Sequence, residues 1–107
     1  MKKNKYVYDY KDITITVYAC NKGWARYYVK QLYYYIDSLW YKFWDEYDNE
    51  NSKVFGLLFE ECHDAVIKIK SDDFVKAMKK LERLYKKIIN TDKKVEEIMK
   101  MEVFKDE

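Results

Sequence analysis

Residues 24–47, WARYYVKQLYYYIDSLWYKFWDEY, hold all three tryptophans, Phe43 and seven of the twelve tyrosines. Aromatic side chains bury about 150–250 Å² each. A chain of 107 residues therefore has to build its core around this stretch, present it as a contact surface, or do both. Trp24, Tyr28, Leu32, Tyr35, Ile36, Leu39, Trp40, Phe43 and Tyr47 recur by threes and fours, the spacing of one helix face. The spacing predicts a single long helix, about 36 Å at about 1.5 Å rise per residue. Tyr27, Tyr33, Tyr34, Tyr41 and Trp44 fall outside that face. They either widen the buried sector or stand exposed.

The segments on either side have other periods. Ile13, Ile15, Val17 and Ala19 alternate with Thr14, Thr16, Tyr18 and Cys20, as in a half-buried strand. Tyr6, Tyr8 and Tyr10 alternate in the preceding run, so Lys11-Asp12 is the expected turn of a hairpin. A single bent strand is the other reading. Asn21 is placed to cap the aromatic helix. An acidic, turn-rich loop is expected over 45–52. Residues 53–71 read either as a helix or as a hairpin turning at 61–64. The β-branched residues, the interior Gly56 and the alternation of Ile67 and Ile69 with Lys68 and Lys70 favour the hairpin.

Ser71-Asp72-Asp73 is a helix start, with the Ser71 hydroxyl as the expected cap and the two carboxylates over the positive end of the helix dipole. Phe74, Val75, Met78, Leu81, Tyr85, Ile88 and Ile89 continue it amphipathically to about residue 89. Asn90-Thr91-Asp92 is expected to break it before a short final helix carrying Val95, Ile98 and Met99. The expected class is α+β: two β-hairpins in an antiparallel sheet, a central aromatic helix and two C-terminal helices, order ββαββαα, in a single domain spanning 1–107. The alternative is a mainly α chain with one N-terminal hairpin.

Composition narrows the function classes. Hydrophobic residues make up 49% and charged residues 37%, which is globular rather than disordered. No apolar run approaches the roughly 20 residues of a membrane span. The N-terminus is basic but has no apolar signal-peptide core, so a cytoplasmic location is expected. Cys20 and Cys62 are expected to be free thiols, and their spacing matches no metal pattern. Many Lys, Tyr, Asn and Ile, no proline and two glycines point to an AT-rich genome. The net charge of +2 is small. It is unevenly placed: residues 31–64 carry two basic and eight acidic side chains, between flanks in which basic residues outnumber acidic ones.

Three constellations could carry chemistry. Glu60-Glu61-Cys62-His63-Asp64 holds the only histidine, but neighbours on a strand or helix diverge, so Cys62 and His63 do not converge as a nucleophile and base would. A polar turn is the expectation. No phosphate loop, G-x-S-x-G or H-E-x-x-H occurs. The paired carboxylates at 45/46, 72/73 and 96/97 suit a loop, a helix start and a solvated face. Neither enzymatic activity nor a cofactor or metal is expected. A basic stripe, Lys76, Lys80, Arg83 and Lys87, follows helical spacing and is a candidate phosphate-contacting face. The surplus aromatics Tyr27, Tyr34, Tyr41 and Trp44, rimmed by Asp45, Glu46, Asp48 and Glu50, are a candidate partner-binding surface.

No segment carries a motif specific enough to name a family. The leading expectation is a small non-enzymatic protein-binding module. It would be a bacterial or phage accessory inhibitor, of the anti-defence or immunity type, that sterically blocks a basic, nucleic-acid-handling partner. The alternatives are a nucleic-acid-binding protein using the 76–87 face, and a self-associating structural protein, a homodimer for instance, pairing through an exposed strand.

Overall fold

The computed structural model describes residues 3–38, 40–48, 51–60 and 64–101, with side chains described as far as Thr91. The alternating N-terminal segment forms a hairpin of β1 (Asn4–Tyr10) and β2 (Ile13–Ala19), with Lys11-Asp12 at its turn as expected. Helix α1 (Lys22–Ile36) follows. Next come β3 (Lys42–Tyr47), β4 (Lys53–Phe59), β5 (Ala65–Lys70) and helix α2 (Phe74–Met101). The strands form one antiparallel sheet in the order β1-β2-β5-β4-β3. The hairpin reading of 53–71 therefore holds, and the class is α+β.

Side-chain alternation puts the core on one face of this sheet. One row runs across all five strands through Tyr8, Ile15, Ile67, Leu57 and Phe43. Its three middle members are fully buried, each contributing about 1.5–3 kcal/mol relative to exposure. Ala25, Val29 and Leu32 of α1, and Ala77, Leu81 and Tyr85 of α2, close the core from above. Both helices repeat by threes and fours, with a small residue first, which lets their backbones come close to the sheet. The opposite sheet face carries Val7, Thr16, Val66 and Leu58 in one row and Thr14, Lys68, Gly56 and Trp44 in the next. Burial raises the phenol pKa of Tyr85 well above its usual range, and nearby Tyr10 raises it further. The Tyr85 hydroxyl has no hydrogen-bond partner among the described residues.

Three expectations need correction. The aromatic stretch is not one helix. Asn21 caps α1 as expected, its Oδ1 accepting from the Trp24 amide at 2.9 Å. The helix stops at Ile36, where Ser38 turns back: its hydroxyl donates to the carbonyl of Tyr35 at 3.2 Å. The remaining aromatics belong to an edge strand. Aromatics this dense satisfy a period of two as well as one of 3.6, and Phe, Tyr and Trp favour strands. The buried face of α1 is also rotated from the expected one, leaving Trp24 exposed.

The C-terminal region is one helix rather than two. Asn90, Thr91 and Asp92 are only modestly unfavourable in helix interiors, with no Gly or Pro beside them. The order is thus ββαβββα. Finally, Asp73, not Ser71, caps α2: its Oδ1 accepts from the Lys76 amide at 2.8 Å. Ser71 is buried, its hydroxyl without a partner among the described residues.

Candidate functional site

One apolar surface that stays uncovered lies where β3 overhangs the helix layer. The helices lean on β2 and β5, and β3 is the sheet edge farthest from β2 on that side. Phe43 points to the core face but is 48% exposed. Its ring stacks on Phe55 at 5.9 Å and meets Phe74, in the first turn of α2, edge-on at 4.7 Å. Val75 beside it is 61% exposed. A cleft of about 440 Å³ adjoins this cluster, with Tyr33, Ile36 and Met78 among its lining residues. Tyr47, two positions along the same strand face from Asp45, is also exposed. As an edge strand, β3 carries backbone N–H and C=O groups on its outer side that no strand among the described residues takes up.

The four surplus aromatics do not form one surface. Tyr27 lies toward the N-terminal end of α1 against Trp24, ring centroids 5.7 Å apart. Tyr34 is exposed near the C-terminal end, its ring edge-on to Tyr33. Tyr41, half-buried, packs on Phe59 at 5.6 Å. Trp44 lies on the opposite sheet face, its indole spread over Gly56, where any Cβ would collide with it. The expected seven-residue spacing of Tyr27, Tyr34 and Tyr41 required a helix that ends before the third of them.

The acidic rim is neutralised within the sheet. Asp45 pairs with Lys53 at 3.2 Å, Glu46 with Lys68 at 3.6 Å and Asp48 with Lys70 at 2.8 Å. Asp45 and Glu46 also point to opposite faces, being successive residues of a strand. Asp48 closes the β3–β4 turn, its Oδ1 accepting from the Ser52 amide at 2.9 Å. Glu50 lies outside the described residues.

The basic stripe divides too. Lys80 donates to Asp12 at 3.2 Å and to the Lys70 carbonyl at 2.9 Å, tying α2 to the sheet. Lys76 lies 3.5 Å from Asp72. Arg83 and Lys87 are exposed, with no ion pair among the described residues. Residues 61–63, expected to form a polar turn, lie outside the described residues. Among those described, no three His, Cys, Asp or Glu side chains are grouped as a metal site needs, Cys20 is a free thiol, and no helix is long and apolar enough to cross a membrane.

Sequence reasoning missed Phe43, Tyr47, Phe74 and Val75 because it put them on buried helix faces. The signal for the first two was the alternation of Tyr41, Phe43 and Tyr47 with Lys42, Trp44 and Glu46. For Phe74 and Val75, exposure follows from where α2 begins relative to the sheet, which no local pattern encodes. Compared with protein-family models, curated proteins and solved structures, the chain matches none.

Proposed function

We propose that this protein is a non-enzymatic binding module that captures a protein partner along β3. The partner contributes an extended segment with apolar side chains. That segment adds to the sheet edge through backbone hydrogen bonds and covers Phe43, Phe74 and Val75. The observation that carries this reading is Phe43: a large apolar residue, half exposed, on an edge strand and already packed against two rings, one stacked and one edge-on. Strand addition uses main-chain bonds for affinity and alternate side chains for specificity. Exposed edges are normally blunted in proteins that do not use them.

An accessory inhibitor acting by steric block is the kind of activity such a module would have. Its affinity is expected to come mainly from apolar contact. Asp45, Glu46 and Asp48 would have to exchange Lys53, Lys68 and Lys70 for a partner's cations, and exposed pairs contribute only about 0–1 kcal/mol.

Self-association through the same edge is the second reading. Lys42 and Glu46 lie symmetrically about Trp44, so an antiparallel copy centred there sets opposite charges across from each other.

The test is capture from native cells, with and without nuclease, using the wild type and the Phe43→Asp and Val75→Asp variants. The proposal expects a protein that persists after nuclease treatment and is lost with either substitution while circular dichroism is unchanged. Capture that survives both substitutions, or that vanishes with nuclease, would overturn it. A dimer mass by light scattering that reverts to monomer with Phe43→Asp would select the second reading.

A further inference from the structure

The sheet has a second edge, on β1, and the sequence of that strand is complementary to itself. No strand among the described residues pairs with β1 on the side away from β2. The Lys70 amide donates to the Asp12 carbonyl at 2.8 Å, so Asp12 and then Thr14 and Thr16 turn their backbone groups toward β5. The residues between them turn theirs toward β1, where they face Tyr10, Tyr8, Tyr6 and Asn4. Lys5, Val7 and Asp9 are therefore left with N–H and C=O groups pointing outward.

The side chains of these same residues lie on the sheet face away from both helices, because Tyr6, Tyr8 and Tyr10 between them pack on the core. All three are exposed, Val7 by 53%. Lys5 and Asp9 form no ion pair among the described residues, unlike Lys3, 4.0 Å from Asp64, and Asp12, 3.2 Å from Lys80.

Set a second copy antiparallel to β1, with Val7 opposite Val7. Lys5 then faces the partner's Asp9, and Asp9 faces the partner's Lys5. On the core face, Tyr6 meets the partner's Tyr8. Opposite charges and aromatic pairs both stabilise a ladder. Lys5, Val7 and Asp9 each meet a residue with which they exchange both N–H···O bonds. Other registers lose the match. A shift of two residues sets a charge against Val7, and a shift of four sets Lys5 against Lys5 or Asp9 against Asp9. An edge lysine ordinarily discourages pairing, and here one register seats it. On β3, by contrast, Lys42 and Glu46 already hold Glu60 and Lys68.

Helix α2 adds a second observation. It starts beside β3, where Phe74 meets Phe43 at 4.7 Å, and lies beside Tyr8 and Tyr10 of β1 by Leu84–Thr91. Its backbone continues to Met101, about 15 Å farther. The two-fold axis of the pairing stands normal to the sheet. Both helix layers then lie on one side, and this extension of each α2 runs toward the partner's strands.

We propose that a second copy of this chain binds along β1, antiparallel and centred on Val7, joining two five-stranded sheets into one. The pairing leaves β3 free, so it stands or falls independently of partner capture there.

The test is sedimentation of the purified protein over a concentration series up to millimolar. Wild type is expected at twice the chain mass of 13.2 kDa. Lys5→Glu and Asp9→Lys each set like charges across both ends of the seam and should weaken the dimer about tenfold or more. Both positions are exposed, so the melting temperature of the monomer should not change. Mixed in equal amounts, the two variants present opposite charges at both ends and should form a heterodimer about as tight as wild type. The double variant should dimerise as well. Val7→Pro removes an outward N–H, which an edge strand tolerates, and should leave a folded monomer. Phe43→Asp should leave the dimer intact. The proposal is overturned by a wild type that stays monomeric throughout, by a dimer that survives both single reversals, by single variants that do not recombine on mixing, or by a dimer lost with Phe43→Asp.

Discussion

Gly56 and Trp44 should be strongly coupled, and the coupling can be read as a change of sign. Gly56 is buried on β4 opposite Trp44 on β3, and a Cβ there would collide with the indole ring. Gly56 has no positive φ, so its backbone accepts any residue. Two terms oppose each other in Gly56→Ala. Replacing glycine in a strand interior is worth about 0.5–1 kcal/mol in stability. Overpacking against a ring that must move costs about 1–3 kcal/mol. The net is a destabilisation of about 1 kcal/mol in the wild type. With Trp44→Ala in place the collision is gone, so the same substitution should stabilise by about 0.5–1 kcal/mol. The double-mutant cycle then gives a coupling of about 1.5–2 kcal/mol. Urea unfolding followed by far-UV circular dichroism on all four proteins measures it. Gly56→Ala with the same sign and size in both backgrounds would refute the β3–β4 register and the strand assignment of 42–47 with it.

Other expectations follow from single sites. Tyr85→Phe removes a buried hydroxyl without a partner among the described residues and should be neutral or stabilising, by up to about 1 kcal/mol in urea unfolding at neutral pH. The raised phenol pKa of Tyr85 means the folded state holds this proton more tightly than the unfolded one. Its contribution is present in full below about pH 10 and falls by about 1.4 kcal/mol per pH unit above that. Tyr85→Phe should flatten that alkaline limb, and an unchanged limb would count against the assignment. Lys11 sits at a φ of 31° in the β1–β2 turn, so Lys11→Gly should raise stability by about 0.5–1 kcal/mol. Lys80→Ala should cost about 1 kcal/mol by releasing Asp12 and the Lys70 carbonyl. It should leave heparin retention unchanged, whereas a phosphate-binding 76–87 face would lose retention.

What the sequence revealed was set by how many periods each segment satisfies. Residues 13–19 alternate cleanly and permit one reading, so β2 and the hairpin containing it could be read directly. Ile67 and Ile69 against Lys68 and Lys70 did the same for β5. Residues 39–47 satisfy two periods at once. Only the Asp37-Ser38 pair, a weak stop beside the pull of so many aromatics, marks the change from helix to strand. The continuity of α2 through Asn90-Thr91-Asp92 was hidden for the opposite reason: capping residues also sit inside helices when nothing stronger interrupts.

The candidate sites were less legible because exposure is a property of layers, not of segments. Two helices cover the middle of a five-stranded sheet, and what they leave uncovered at β3 depends on where each sits. The pairing of Asp45, Glu46 and Asp48 with Lys53, Lys68 and Lys70 is likewise a matter of strand order, which brings β3, β4 and β5 side by side. The match of Lys5 to Asp9 about Val7 gave no signal until the strand order set β1 at a sheet edge.

Whether the outer edge of β3 meets a protein partner can be read with a photo-crosslinking residue. Placed at Tyr47, exposed on that edge, and separately at Tyr27 on the far part of α1, it should give a nuclease-resistant protein adduct in native cells at position 47 and none at position 27. An adduct at 27 with none at 47, or no adduct at 47 when the protein is folded and irradiated, would rule out partner binding at the β3 edge.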